Sequence, residues 1–421
     1  MIRLPYILRE FRPLFCKVFV GLFLIGCTTW YARTHFYRDP GSRFFDKTRA
    51  YEQKYSQYRK VEAQKFVEKI TNSTARLAPN EQVSNRSLCV TIPSVRRRYT
   101  QYVETTVASA LGGLLPEERD DLYLNVFIAH TDPNEHPTWH QSWVSRAVDN
   151  MYTYNVSKAE GDRLQELEKE RDFAKKGVFD YTYALEECQK METPYVGILE
   201  DDIMLADGWL VHLLSGLRHI SASYKSNQPW LYLRMFNQER STGWSSRRIG
   251  GNNEYWIILG IWLAITPPII FARRRWKAAN SFLNSGSLFV LLVILIPSYV
   301  VLFFQSGKAS LWPPSHGVAD EPFGCCSQIM IFPREQVLPL VQFLRSKGQG
   351  QIDLMLNDRA IEEGLTRYAL YPVMAQHIGL DSARATAINE AQAIWSMAFE
   401  DLEPETLRRD HRKMADKYYG A

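Results

Sequence analysis

The chain has 421 residues, enough for one large domain or two of ordinary size. Its 50 basic residues nearly balance 46 acidic ones, and no basic stripe marks it as a nucleic-acid binder. The hydrophobic share of 46% is ordinary as a mean but is gathered into a few runs.

Residues 1–13 form a short tail carrying Arg3, Arg9 and Arg12. Residues 14–31 follow as a mostly apolar run, long enough to cross a bilayer. No clear small-x-small cleavage site comes after it, so the run reads as an uncleaved signal anchor. The basic flank places the tail in the cytosol and the rest of the chain in the lumen. Residues 32–86 are polar and helix-prone and read as a stem. Three N-glycosylation sequons begin at Asn72, Asn85 and Asn155, all on the expected lumenal side.

A first half of a catalytic body is expected over residues 87–252. Strands are predicted at Leu88–Ser94, Leu122–Ala129, Tyr195–Glu200 and Trp230–Phe236, and helices at about 100–111, 160–175, 179–191 and 210–224. This alternation is the rhythm of a mostly parallel α/β sheet. Residues 253–305 interrupt it with two apolar runs, which flank a basic loop at 273–281 containing Arg273-Arg274-Arg275-Trp276-Lys277. The runs read as a transmembrane hairpin with a cytosolic loop, the orientation already set by the N-terminus. The alternative is a pair of buried core helices. Spans this short suit a thin early-secretory bilayer. Residues 306–384 resume the body with a strand over Cys325–Pro333, helices at 333–347 and 352–363, and an extended segment at 370–378. Residues 385–421 form a polar, partly helical tail.

Of six cysteines, Cys16 and Cys27 fall in the first apolar run. No Cys-x-x-Cys spacing supports zinc. Cys89, Cys188, Cys325 and Cys326 are available for disulfides in a lumenal body, with connectivity open.

The chemistry concentrates at Glu200-Asp201-Asp202. A buried strand ending in three carboxylates sits where open α/β sheets bind ligands. Carboxylates so crowded repel unless a cation lies between them. A hard divalent ion, Mn²⁺ or Mg²⁺, would be held there by oxygen ligands and shared with the diphosphate of a nucleotide-sugar. A bare acidic triplet is otherwise a solvated turn.

The acidic triplet resembles the metal motif of GT-A glycosyltransferases, in the form seen in N-acetylglucosaminyltransferase I. Phe323-Gly324-Cys325-Cys326-Ser327-Gln328, Asp353-Leu354-Met355-Leu356 and Tyr371-Pro372-Val373-Met374-Ala375-Gln376-His377-Ile378-Gly379 extend the resemblance. With the interrupting hairpin, they make the chain similar to the post-GPI-attachment N-acetylgalactosaminyltransferase family. That resemblance implies a multi-pass Golgi membrane enzyme with a lumenal GT-A-like domain. It would add N-acetylgalactosamine from UDP-N-acetylgalactosamine to the glycan of GPI-anchored proteins, with inversion and with Mn²⁺ or Mg²⁺ as cofactor.

The site is assigned accordingly. Asp202 is the expected metal ligand, with His377 a further one. Glu200 and Asp201 would contact ribose or metal-bound water. Pro93, Ser94 and Arg96 end the first strand, where GT-A enzymes hold uridine. Asp132 ends the second strand and is a further nucleotide contact, and Arg97 and Arg98 could meet the diphosphate. Asp353 is the expected base, ahead of Asp358, Glu362 and Glu363. Trp209, Trp230 and Trp244 could stack on sugar. Two alternatives stand beside this reading. One keeps the fold but uses an N-glycan acceptor or another UDP-sugar. The other is a non-catalytic membrane scaffold or cargo receptor. The position modified on the glycan and the oligomeric state have no signal in the sequence.

Overall fold

A computed structural model describes residues 4–74, 76–77, 85–223, 228–239, 244, 253–321, 326–381 and 387–420. Residues 323–325 of the second motif, the expected strand start at Cys325, the helix end at Tyr224 and part of the stem lie outside the described residues. The chain divides into two units, Met1–Tyr51 with Thr242–Pro314 and Glu52–Ser241 with Ser315–Ala421.

Among the described residues, the first unit holds three helices long and apolar enough to cross a membrane, at Leu14–His35, Glu254–Arg275 and Ser285–Gln305. Almost none of their residues are buried. Phe19, Leu263 and Trp256 are 69%, 68% and 70% exposed, and a continuous apolar surface of this kind belongs against lipid. The chain is therefore a membrane protein. Pro267 and Pro268 sit inside the second helix. The third contains a π-helical stretch, Val290–Leu295, between the α-helical turn Ser285–Phe289 and Pro297. The missing proline N–H frees carbonyls in the preceding turn, and Trp262 donates its indole N–H to one of them, Leu292 C=O, at 2.9 Å. Trp244 belongs to this unit and donates its indole N–H to Phe304 C=O.

The second unit is a mixed α/β fold. Its strands are β1 (Leu88–Ser94), β2 (Leu122–Ile128), β3 (Asn150–Tyr152), β4 (Tyr195–Leu199), β5 (Ile203–Leu205), β6 (Trp230–Arg234), β7 (Gly317–Asp320), β8 (Ile329–Pro333), β9 (Thr366–Tyr371) and β10 (Ala375–His377). Eight of them form one sheet in the order β3-β2-β1-β4-β8-β6-β9-β7, and β5 pairs with β10 in a small second sheet. β1 to β4 run parallel within the large sheet, whereas β8 is antiparallel to both β4 and β6.

Strand periodicity explains the layers. In β1 and β2, Leu88, Val90, Ile92, Leu122, Leu124 and Val126 point to one core, which they share with the helices Val103–Leu111 and Trp209–Ala222. Cys89, Phe127, Val196 and Ile198 point to the other, covered by the helices Phe173–Gln189, Arg334–Lys347 and Ile352–Glu362. A sheet buried on both faces reads as continuous apolar runs, which is how β1, β2 and β4 appear in the sequence. Cys89 and Cys188 form a disulfide that ties β1 to the helix Phe173–Gln189. Cys326 is also disulfide-bonded.

The helix Tyr55–Thr71, in the segment read as a stem, buries Tyr55, Arg59, Ala63 and Ile70. The segment read as a tail contains the helices Ile388–Ala393, Met397–Glu400 and Pro404–Tyr419, which bury Ala391, Phe399 and Leu407. Both are integral parts of the second unit.

Candidate active site

β4 delivers Glu200 at its C-terminal end, and Asp201 and Asp202 form a tight turn into β5. The helix Val103–Leu111 fixes this turn from behind. The Thr106 hydroxyl accepts the Ile203 N–H at 3.2 Å and donates to Asp201 C=O at 2.7 Å. Ser109 Oγ accepts the Leu205 N–H at 3.1 Å. β10 closes the other edge, where Ile378 N–H donates to Asp202 C=O at 2.9 Å. The carboxylates are thus aimed by backbone and hydroxyl contacts on both sides.

The three acidic residues have different partners. Glu200 accepts from Ser327 Oγ at 2.7 Å. Asp201 accepts from Ser94 Oγ at 2.6 Å and from the Arg97 guanidinium. Asp202 accepts from the same Arg97 nitrogen at 2.9 Å, and His377 Nε2 stands 3.4 Å from its Oδ2. Asp202 Oδ1 is buried and makes no hydrogen bond. A Cβ at residue 379 would collide with the Asp202 carboxylate, so Gly379 is what lets the two segments meet.

Ser94 also contacts His136, Oγ to Nε2 at 3.1 Å. The His136 Nδ1 accepts the Thr138 N–H at 3.2 Å, which leaves the ring proton on Nε2. His136 therefore donates to Ser94, which donates to Asp201. The direction is the reverse of that needed to activate a serine nucleophile, so the chain of contacts orients Asp201.

Electrostatics separate the paired aspartates. Burial pushes Asp202 up, but the His377 hydrogen bond and charge, with Arg97, bring its pKa down to about 2. Asp201 is raised, because burial and the neighbouring Asp202 charge outweigh Arg97. Burial acts against protonation of His377, yet Asp202 and Glu200 raise its pKa overall. The site thus holds a firmly ionised Asp202 beside a cationic environment.

These residues border one cavity of about 340 Å³. Of the residues singled out from sequence, Pro93, Arg97, Glu200, Asp201, Asp202, Asp353 and His377 line it. Asp353 is fixed at its rim by the Cys326 N–H, 3.1 Å from its Oδ2. Ser94 sits one contact behind, on Asp201. Arg96 is exposed, and its backbone N–H donates to His130 Nε2 at 2.8 Å. Asp132 is exposed and caps the turn Pro133–Glu135 through Asn134 N–H. Neither lines the cavity. Trp209 is buried with its indole N–H on Ala110 C=O, and Trp230 packs against Tyr195 and Tyr368.

Ser327 touches Glu200; it lies in a motif that carries the resemblance but that assigns it no role of its own. Other contributors carry no readable motif: His136 and Thr106 act through the turn. Ala391 and Ile394, from the segment read as a polar tail, form part of the cavity wall. Asp180 lines the cavity as well. It is fully paired with Lys176 at 2.9 Å and with the Tyr154 hydroxyl.

Residues 88–376 match the family model described as GPI-N-acetylgalactosamine transferase PGAP4. The chain belongs to this family. It is a glycosyltransferase, and the family assigns it a GPI-linked glycan acceptor and a sugar donor. Comparison with curated proteins finds no match. The match begins at β1 and ends within β10, so it includes the acidic turn and Asp353 but stops one residue before His377. Family membership makes a nucleotide-sugar the expected donor class.

The donor set fits a divalent cation shared with a diphosphate. Asp202 is ionised, holds a buried oxygen with no partner, and is flanked by Glu200 and His377. Among the described residues no group of three or more His, Cys, Asp and Glu is arranged to hold a metal ion by itself, so substrate oxygens would have to complete the shell. Magnesium-like ions are typically held by one or two carboxylates and completed by substrate phosphates and water.

Proposed function

We propose that the second unit is a GT-A-type domain that transfers N-acetylgalactosamine from UDP-N-acetylgalactosamine to the glycan of GPI-anchored proteins, with inversion and with Mn²⁺ or Mg²⁺. The observation that carries this reading is the convergence of the Glu200–Asp202 turn, His377 and Asp353 on one cavity in a member of this family. Asp202 would hold the cation, with His377 and Glu200 beside it, and the cation when bound would stabilise charge on the departing diphosphate. Pro93 and Ser94 would border the nucleotide. Arg96 and Asp132 would reach it only from the exposed side of the loops that follow β1 and β2.

Asp353 would take the proton from the acceptor hydroxyl. As that oxygen bonds to the anomeric carbon, the bond to the diphosphate breaks and UDP leaves with its electron pair. A single displacement with one base inverts the anomeric centre. The Cys326 N–H on Oδ2 and the Leu354 N–H on Oδ1, 3.1 and 2.9 Å away, would hold the Asp353 carboxylate at the cavity rim, and each oxygen keeps a second lone pair for the incoming proton.

In this reading residues 1–13 and 273–281 are cytosolic, the catalytic unit is lumenal, and the protein resides in the Golgi membrane. The chain passes between the membrane unit and the catalytic unit three times. Tethering of this kind confines enzyme and lipid-linked acceptor to one surface and raises their effective concentration.

The test is transfer and donor hydrolysis by the detergent-purified protein over a panel of UDP-sugars with Mn²⁺, alongside Asp202→Ala. Turnover of UDP-N-acetylgalactosamine alone, abolished by EDTA and by the substitution, is expected. Preference for UDP-galactose or UDP-N-acetylglucosamine would change the donor. Folded protein with neither turnover nor UDP binding would overturn the reading.

A further inference from the structure

Two adjacent aspartates are buried in the cavity wall, with side chains 6% and 9% exposed. Buried like charges need a compensating cation. In this structure that cation is part of the chain. One Arg97 nitrogen donates to both Asp201 and Asp202. The other terminal nitrogen donates to Asp381 C=O at 2.6 Å. The Arg97 side chain is itself 9% exposed, and its Nε is buried with no partner.

The loop that carries Arg97 is tied to the loop after β10. The Asp381 carboxylate accepts the Tyr99 and Thr100 N–H groups at 2.7 and 2.9 Å. The Tyr102 hydroxyl accepts the Leu380 and Asp381 N–H groups at 3.0 Å each. Arg97 thus stands at the junction of the acidic turn with the loop that brings Gly379 against Asp202. It also lines the cavity, so it faces whatever enters.

We propose that Arg97 is the resident counter-cation of the nucleotide-free enzyme, which makes binding of a divalent cation conditional on a diphosphate. A divalent ion arriving alone at Asp202 meets a guanidinium already bonded to the same carboxylate. Like charges in a site of low dielectric repel strongly. A diphosphate removes the conflict, since its oxygens complete the shell of the ion and give Arg97 a new anionic partner. Metal and nucleotide then bind with positive coupling, and by linkage each raises the affinity of the other equally. Arg97 is a positioning residue in this scheme. The proposal rests on the nucleotide-sugar reading above and adds to it a mechanism of ordered loading.

The experiment measures Mn²⁺ binding by electron paramagnetic resonance and calorimetry, on the full detergent-purified chain, with and without UDP. Wild type is expected to bind Mn²⁺ at least ~10-fold more tightly when UDP is present. Arg97→Met is expected to bind Mn²⁺ alone at least ~10-fold more tightly than wild type, to bind UDP more weakly, and to lose most of the coupling. Arg97→Lys, which keeps the charge, is expected to retain the coupling in part. Equal Mn²⁺ affinity of wild type with and without UDP overturns the proposal, and that measurement needs no variant to fold. A folded Arg97→Met protein with no gain in Mn²⁺ affinity overturns it as well. Absence of UDP binding under every condition overturns the nucleotide-sugar reading itself, an outcome distinct from binding without coupling.

Discussion

The His411 imidazole lies 2.7 Å from the Glu118 carboxylate, and both side chains are fully buried. The other ring nitrogen is 3.0 Å from Asp207, the residue two positions past β5. Gly208 adopts a left-handed conformation beneath the ring, and a Cβ there would approach His411 to 2.8 Å. The C-terminal helix Pro404–Tyr419 is thereby locked onto the segment that carries the acidic turn.

This lock titrates. Burial acts to lower the pKa of His411, but Asp207 and Glu118 raise it from 6.5 to about 9. A folded-state pKa above the unfolded one contributes stability that is complete below pH 6.5 and is lost as pH rises through 9. The melting temperature of the detergent-purified protein is expected to fall between pH 7 and 9.5. Substitution His411→Gln is expected to lower it at pH 7 and to flatten that slope. An unchanged slope in His411→Gln would assign the pH dependence elsewhere.

Gly379→Ala should damage the site while sparing the fold. The new methyl group has no room beside the Asp202 carboxylate, so the carboxylate or the loop must shift. Small displacements of catalytic groups cost roughly 10²-fold in rate. We expect such a loss in kcat with a melting temperature close to wild type. Full activity in Gly379→Ala would show that Asp202 does not need its present position.

Asp353→Asn keeps an oxygen able to accept the Cys326 N–H but removes the base. A loss of about 10²–10⁴-fold in kcat is expected, with UDP affinity unchanged. The same substitution at Asp358 should have little effect. If Asp353→Asn retained wild-type kcat while Asp358→Asn lost it, the base would have to be reassigned to the neighbouring carboxylate.

Replacing Cys89 and Cys188 together by serine removes the cross-link between β1 and the helix Phe173–Gln189. A loss of about 2–5 kcal/mol is expected, read as a lowered melting temperature and increased protease sensitivity. An unaffected melting temperature would show that helix packing alone holds β1 in place.

Much of the architecture was legible because its signals are local. The apolar runs at 14–31 and 253–305 stand out by composition. The strands β1, β2 and β4 announce themselves because both faces are buried and nearly every position is apolar, Thr91, Ser94 and Asn125 being the polar exceptions in β1 and β2. The turn Glu200–Asp202 was readable because an acidic triplet follows such a strand directly. Gly348, with φ of 72°, ends the helix Arg334–Lys347 where expected.

Other features depend on which distant segments meet. In the sequence Arg97 and Arg98 are equal candidates for a diphosphate contact, and only the approach of the β1 loop to the acidic turn puts Arg97 between two carboxylates 104 and 105 residues away. Asp132 and Arg96 follow strands as nucleotide-binding residues do, yet their loops turn them to solvent. The pairing of Cys89 with Cys188 required the helix Phe173–Gln189 to cross β1.

The amino-acid sequence by itself determined the membrane-spanning runs, the α/β class and the acidic turn, because hydrophobic length, strand periodicity and charge crowding are properties of contiguous residues. The tertiary structure decided which carboxylates share a cavity, which cation neutralises them and which terminal helices complete the wall. Those depend on contacts between residues a hundred or more positions apart, whose partners no local pattern records.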